Sequence, residues 1–343
     1  MNYFSFQWHI TDACDQRCKH CYIFSEGRNK IIEMPFEKCL SVLDNIENMA
    51  QRLHRTPYLY ITGGDPLLHS RFWDLVNEVH NRGISYCLMG NPFHLNNDVC
   101  ERLKMLGCGK YQLSLDGLRE THDRLRKPGS FDATLKAIST LHHAAIDCAV
   151  MSTVSSINIG EIPDLIDIVV AHHADIFTFA RYCPTSPQEI FANHSWHIEP
   201  LSYRNLLDRC WQKIEQYRDS DTFFILKDHL WVLYFYERGF FHIPEALETN
   251  TLYEGCNLAY CHFTITSEGK LMACRRMDSC VGTVEETMYD VWIGSKMNFY
   301  RQHDKMEKCG HCELLRFCRG CPAVAFGYYN SWLSPDPQCW KQI

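Results

Sequence analysis

The chain has 343 residues, 46% of them hydrophobic and 22% charged, with a net charge of −7. That balance excludes a disordered chain, a coiled-coil or collagen-like rod, and a basic nucleic-acid binder. No run approaches the roughly 18 consecutive apolar residues of a membrane helix, and the N-terminus has no signal-peptide pattern, so a cytoplasmic protein with no membrane or nucleic-acid partner is expected.

Residues 3–10 alternate in the strand manner through Phe4, Phe6, Trp8 and Ile10, and a polar loop with three cysteines follows. Residues 35–54 read as a helix, with Phe36, Cys39, Leu40, Leu43 and Ile46 on one face and Pro35 at its start. Further strands are expected at 58–62, 84–89, 110–115, 147–154 and 175–180. Helices are expected between them at 70–82, 97–106, 131–145 and 161–173. Strands alternating with helices imply right-handed crossovers and a parallel sheet. Six units are too few to close an eight-fold barrel, so the expected fold class is α/β, a partial, open (β/α)6 barrel. The segments Gly63-Gly64-Asp65-Pro66 and Cys14–Cys21 each follow a strand and therefore face the same rim. Residues 182–200 read as a proline-rich linker and 202–240 as an aromatic-rich helical stretch. From 251 the chain is loop-rich, with short strands at 262–266 and 270–273. Three domains are expected: 1–181 (barrel), 182–250 (helical bridge) and 251–343 (cysteine-rich tail).

The 19 cysteines are an odd number in a chain without an export signal, which argues against a disulfide framework. Seven of them (Cys39, Cys87, Cys100, Cys108, Cys148, Cys183, Cys210) are scattered and read as small buried hydrophobes. Cys14-x3-Cys18-x2-Cys21 can hold three irons of a [4Fe–4S] cube and leave the fourth open, as a catalytic zinc keeps one position free. Zinc is the rival metal, although its sites usually set two close ligands against a second pair further on. The tail contributes Cys256, Cys261, Cys274, the quartet Cys309-x2-Cys312-x5-Cys318-x2-Cys321, and Cys339. The two pairs of that quartet lie too close for an ordinary zinc ribbon, and eight ligands divide into two four-cysteine cubes. Cys280 is left over and reads as a free thiol. His20 and His311 lie inside the cysteine loops without ligand spacing of their own.

The first spacing, with Tyr22 directly after the third cysteine, resembles the signature of the radical S-adenosylmethionine (radical SAM) superfamily. The tail resembles the SPASM extension of those enzymes, which carries two auxiliary [4Fe–4S] clusters. The resemblance implies a cube whose open iron chelates the methionyl part of SAM, and a 5′-deoxyadenosyl radical that removes a substrate hydrogen. It implies cofactor contacts from Tyr22, from Gly63, Gly64 and Asp65 (where the family has Gly-Gly-Glu), from Ser114 and Asp116, and polar contacts to cofactor or substrate from Thr153, Asn158 and Arg181. It implies one auxiliary cube on Cys256, Cys261, Cys274 and Cys321, and another on Cys309, Cys312, Cys318 and Cys339. The family more often has three residues where Arg319-Gly320 gives two, which leaves the cube of Cys321 open.

SPASM proteins act mostly on peptides and proteins. The implied activity is maturation of a ribosomally made peptide, giving a thioether or C–C cross-link or another modification. A formylglycine-forming protein maturase is disfavoured, since the residue after the third tail cysteine is Arg275 where that branch has an Asp base. Arg275 and Arg276 read as a clamp for a substrate carboxylate or as surface ion pairs. Maturation of a haem-like cofactor and a plain iron–sulfur electron carrier are the alternatives, though a carrier has no need of an open iron. The implied partners are a precursor peptide and a reductant such as ferredoxin or flavodoxin. Only 13 residues precede Cys14, so peptide recognition is expected from a separate leader-binding protein, from residues 182–250 or from the tail itself.

Overall fold

Alternation along the first strand sets the sheet between a helical layer and a lumen. The computed structural model describes residues 3–24, 31–192, 196–248 and 251–342. Strand β1 (Tyr3–Thr11) fully buries Phe4, Phe6, Trp8 and Ile10, while Ser5 and Gln7 between them stay partly exposed on the other face. Each such buried side chain contributes about 1.5–3 kcal/mol over leaving it in water.

Helix α1 (Phe36–Leu53) follows, burying Cys39, Val42, Leu43, Ile46, Met49 and Ala50 along one stripe. It ends where His54 turns left-handed, with φ of 51°. Then come β2 (Thr56–Gly63), α2 (Phe72–Asn81), β3 (Ser85–Met89), α3 (Asn97–Met105) and β4 (Lys110–Ser114). Two helices, α4 (Arg119–Leu125) and α5 (Ser130–His143), precede β5 (Asp147–Val154), α6 (Ile162–Ala171) and β6 (Ile176–Arg181). The six expected strands are all present and all parallel. Their C-terminal ends therefore share one rim.

The segment expected to be one helical stretch is divided. It forms α8 (Pro200–Gln216), a seventh strand β7 (Phe223–Ile225) and α9 (Leu230–Glu237). The polar run Arg218-Asp219-Ser220-Asp221 breaks the helix, and β7 then pairs in parallel with β6, Ile176 against Phe223. Its aromatic residues do pack together: Trp211 meets Phe235 at 4.8 Å and Trp231 meets Phe179 at 5.9 Å. The expected linker holds a short helix, α7 (Pro187–Ala192), and residues 193–195 of it lie outside the described residues.

The tail is built onto the same sheet. Strand β8 (His262–Ile265) pairs in parallel with β1, and β9 (Lys270–Met272) and β10 (Cys280–Thr283) continue antiparallel. The ten strands run β10-β9-β8-β1-β2-β3-β4-β5-β6-β7, with β10 and β7 at the two edges, so the barrel is not closed. Helices α10 (Met288–Ile293) and α11 (Ser295–Phe299) follow, and α12 (Pro322–Tyr329) begins directly after Cys321. Trp292 of α10 wedges against Phe4 at 4.8 Å and Phe263 at 5.4 Å, which ties tail to barrel through apolar contact. Among the described residues no helix is long and apolar enough to cross a membrane.

Candidate functional site

The loop after β1 carries Cys14, Cys18 and Cys21, all partly exposed at the rim. Its sulfurs are already met by donors. Cys14 Sγ accepts from the Gln16 N–H at 3.4 Å and from Asn91 Nδ2 at 3.2 Å. Arg126 Nη1 approaches Cys18 Sγ at 3.7 Å. Burial raises the Cys18 thiol to about 11, against the pull of Arg126, so its thiolate form needs a metal or a stronger positive field. Donors aimed at sulfur are the arrangement that tunes an iron–sulfur cube.

Spacing between the sulfurs speaks to which metal fits. All 19 cysteines are free thiols. A tetrahedral zinc with bonds of about 2.3 Å needs its sulfurs about 3.8 Å apart. Among the described residues, the one group of three ligand atoms lying within 4.8 Å of one another is Asp15, Asp65 and His94, with no cysteine in it. Among the described residues, no three cysteine sulfurs form such a group.

Gly63 and Gly64 act on the loop itself, where contact with the ligand was expected. A Cβ on Gly63 would lie 2.2 Å from the Thr11 carbonyl oxygen, and one on Gly64 would lie 2.3 Å from that of Ala13. The Gly64 and Asp65 N–H groups donate to these same two carbonyls at 2.8 and 2.7 Å. Only glycine lets β2 grip the backbone leading into Cys14. Asp65 is fully buried; its Oδ1 accepts from the Leu67 N–H at 3.1 Å, and its Oδ2 has no hydrogen-bond partner. Burial, with the nearby Asp15 charge, pushes its carboxyl up to about 7. An orphaned carboxylate oxygen near the Cys14 thiol fits the ammonium of a bound amino-acid moiety.

Three of the residues expected to contact cofactor or substrate, Asp116, Asn158 and Arg181, also hold one another's surroundings in place through internal hydrogen bonds. Asp116 is fully buried: Oδ1 accepts from the Thr153 N–H at 2.8 Å and Oδ2 from Arg126 Nε at 2.5 Å, with His20 Nε2 at 3.4 Å. Burial alone would raise its carboxyl, but Arg126, His20 and His122 hold it down to about 2. Asp116 thus fixes Arg126, which reaches Cys18. Asn158 donates to the Asp116 carbonyl at 2.5 Å and the Thr153 carbonyl at 2.8 Å, and accepts from the Ser155 N–H at 2.7 Å. Arg181, 2% exposed, donates through Nε to Asp228 at 2.8 Å, through both Nη atoms to Asp336 at 2.6 and 2.9 Å, and to Gln338 at 3.0 Å. With these donors committed, Arg181 binds the end of β6 to the last residues of the tail. Ser114 remains partly exposed at the end of β4. Tyr22 faces the lumen between His9, at 6.1 Å between rings, and Arg275, whose guanidinium sits 4.8 Å over its ring.

Sequence patterning missed Asn91 and Arg126. Asn91 follows β3 as Asp65 follows β2, so the strand-end rule that singled out Asp65 also reaches it. Arg126 caps α4, a helix of seven residues with no marked apolar face.

In the tail, Cys309, Cys312, Cys318 and Cys339 line one pocket with Leu233, Leu314 and Arg319. Burial, and after it the neighbouring Cys321 and Cys274, push the Cys256 thiol up. Cys261 lies apart, at the opening of β8, where its carbonyl accepts from the Ser5 N–H at 2.9 Å and its thiol faces Arg55. Cys280 is exposed, as is His311.

Comparison with known proteins agrees with this layout. Residues 8–169 match the model of the radical SAM superfamily, and residues 256–313 match that of the SPASM iron–sulfur cluster-binding domain. The chain is 24% identical to an AdoMet-dependent heme synthase of Methanosarcina barkeri, over 97% of this chain and 95% of that protein. It is 25% identical to the mycofactocin maturase MftC of Mycolicibacterium smegmatis, over 97% and 81%. Its fold resembles that of Streptococcus suis SuiB bound to precursor peptide SuiA, with a TM-score of 0.73 at 19% identity, covering 94% of this chain and 72% of that one. The chain belongs to the radical SAM superfamily, as an enzyme with a C-terminal SPASM domain that uses S-adenosylmethionine and [4Fe–4S] clusters.

Proposed function

We propose that this enzyme is a maturase that modifies a residue of a ribosomally made peptide. One observation carries the reading: the three-thiol loop and the orphaned Asp65 oxygen share a rim that opens onto a partly exposed lumen. Residues 1–181 carry the radical chemistry, 182–250 bridge, and 251–343 hold two auxiliary clusters. Cys14, Cys18 and Cys21 hold the SAM-binding cube, Asp65 Oδ2 accepts from the ammonium of SAM, and Ser114 and Tyr22 line the cofactor. Bound at this cube, SAM supplies a carbon radical able to take hydrogen from an unactivated C–H bond. The lumen orients the substrate and keeps water from the radical. The mycofactocin maturase relative and the peptide-bound SuiB fold support a peptide substrate. A cytoplasmic setting and a ferredoxin- or flavodoxin-type reductant belong to the same proposal.

A specific observation favours a second reading, a carboxylate-bearing tetrapyrrole. Lys227 faces Arg276 and Lys110, and desolvation together with those two charges brings it down to about 8. Lys110 extends over the Tyr60 ring. Such a cationic wall suits carboxylates, and the heme synthase relative spans 97% of this chain.

Anaerobic enzyme, SAM and dithionite would be incubated either with the peptide encoded beside its gene or with iron coproporphyrin. Peptide-dependent 5′-deoxyadenosine, with loss of two hydrogens' mass from that peptide, supports the first reading. Release of carbon dioxide from the porphyrin, with an unchanged peptide, replaces it with the second.

A further inference from the structure

Three tail thiols converge without the fourth member expected of their cube. Arg276 Nη2 donates to Cys321 Sγ at 3.7 Å, and Arg276 itself lies two residues beyond Cys274. Cys256 faces both of these thiols. Cys261 opens β8 elsewhere, against Arg55. The place beside the trio is taken by Cys183, which sequence patterning leaves as a buried hydrophobe.

Cys183 lies two residues past the end of β6, on the rim. Its Sγ donates to the Arg276 carbonyl at 3.5 Å, and its side chain is 8% exposed. Burial pushes its thiol up, and the ionisable groups that act on it are Arg276, Cys321, Cys274 and Arg181. Its backbone position is fixed from the other side as well. A Cβ added to Gly327 would fall 2.2 Å from the Pro184 carbonyl oxygen, so α12, which begins directly after Cys321, packs directly on Pro184, the residue after Cys183. Arg276 sharpens the case. The groups that act on its guanidinium most strongly are four sulfurs, those of Cys321, Cys183, Cys274 and Cys256. A cation set among four thiols is balanced once they become thiolates on a cube, where four thiolates on a 2+ core leave a net charge of about −2.

We propose that Cys183, in place of Cys261, supplies the fourth thiolate of the auxiliary [4Fe–4S] cluster held by Cys256, Cys274 and Cys321. Each ligating thiol gives up its proton on binding iron. The cube then joins the end of barrel strand β6 to three separate loops of the tail. Arg276 donates to one of its sulfurs, which raises the cluster's reduction potential. The proposal rests on the reading of the tail as a two-cube domain.

The test compares full-length Cys183→Ala and Cys261→Ala proteins, reconstituted anaerobically beside the unmodified enzyme. Iron and sulfide are counted, and Mössbauer and EPR spectra recorded. The unmodified enzyme is expected to hold about 12 irons, three cubes. Cys261→Ala should keep that count. Cys183→Ala should lose one cube's iron or show a three-iron signal, while the SAM-responsive EPR signal in the same sample confirms a folded barrel. Cys183→Asp, which restores an anionic ligand, should recover part of the lost iron. A full count in Cys183→Ala, or loss of the cube in Cys261→Ala alone, overturns the proposal. About four irons in the unmodified enzyme would instead overturn the two-cube reading beneath it.

Discussion

Strands β1–β6 bury continuous runs of aliphatic and aromatic side chains such as Phe4, Phe6, Trp8, Leu59, Ile61, Leu88 and Val150. Residues 301–342 bury few large apolar groups, chiefly Met306, Leu314, Phe317, Val324 and Trp332, among five cysteines. The barrel is a packed core that stands without cofactor. The last 40 or so residues order around clusters, as small metal-bound domains do. Between these extremes, residues 262–299 are tied to the barrel by β8 pairing and by the Trp292 wedge.

The largest test of that contrast is removal of iron. Anaerobic chelation should expose residues 301–342 to proteolysis and hydrogen exchange while the amides of β1–β5 stay protected; equal loss in both regions would erase the distinction. A smaller effect is expected where charge joins the two. Arg181→Met strands the buried carboxylates of Asp228 and Asp336, and should cost about 3–5 kcal/mol in denaturant unfolding. A loss below about 1 kcal/mol would mean that the Arg181 network does not couple β6 to the tail. At the rim, Asp65→Asn removes one charge-assisted contact and should weaken SAM binding about 10–100-fold by calorimetry, with iron content unchanged. The least effect belongs to Asp290→Ala, which removes an exposed partner of Arg52 between α10 and α1 and should change stability by no more than about 0.5 kcal/mol.

The same contrast explains what was legible in the sequence. In the barrel, buried faces repeat with the helix or strand period, so all six strands, their helices and the rim position of Cys14 and Asp65 follow from apolar spacing. The break at Ser220 and the strand Phe223–Ile225 did not, because an aromatic run fits helix or strand until β6 offers it a partner. At the site, residue type brings three thiols together where the chemistry is local, on the one loop after β1. It misled where a polar group's partner is far away in the chain. Nothing near Arg181 announces Asp336, and nothing near Cys183 announces Arg276. In the tail, the family resemblance implied the grouping of Cys309, Cys312, Cys318 and Cys339, which line one pocket. It does not show that Cys261 sits in the turn directly before β8 while Cys183 lies just past the end of β6.

The most direct measurement is EPR of the dithionite-reduced enzyme before and after SAM is added, with metal analysis of the same sample. A reduced four-iron signal that changes on adding SAM, and that is absent from Cys14→Ala, Cys18→Ala and Cys21→Ala, is the predicted result. Zinc in place of iron, or a signal indifferent to SAM, would contradict the open-cornered cube at the barrel rim.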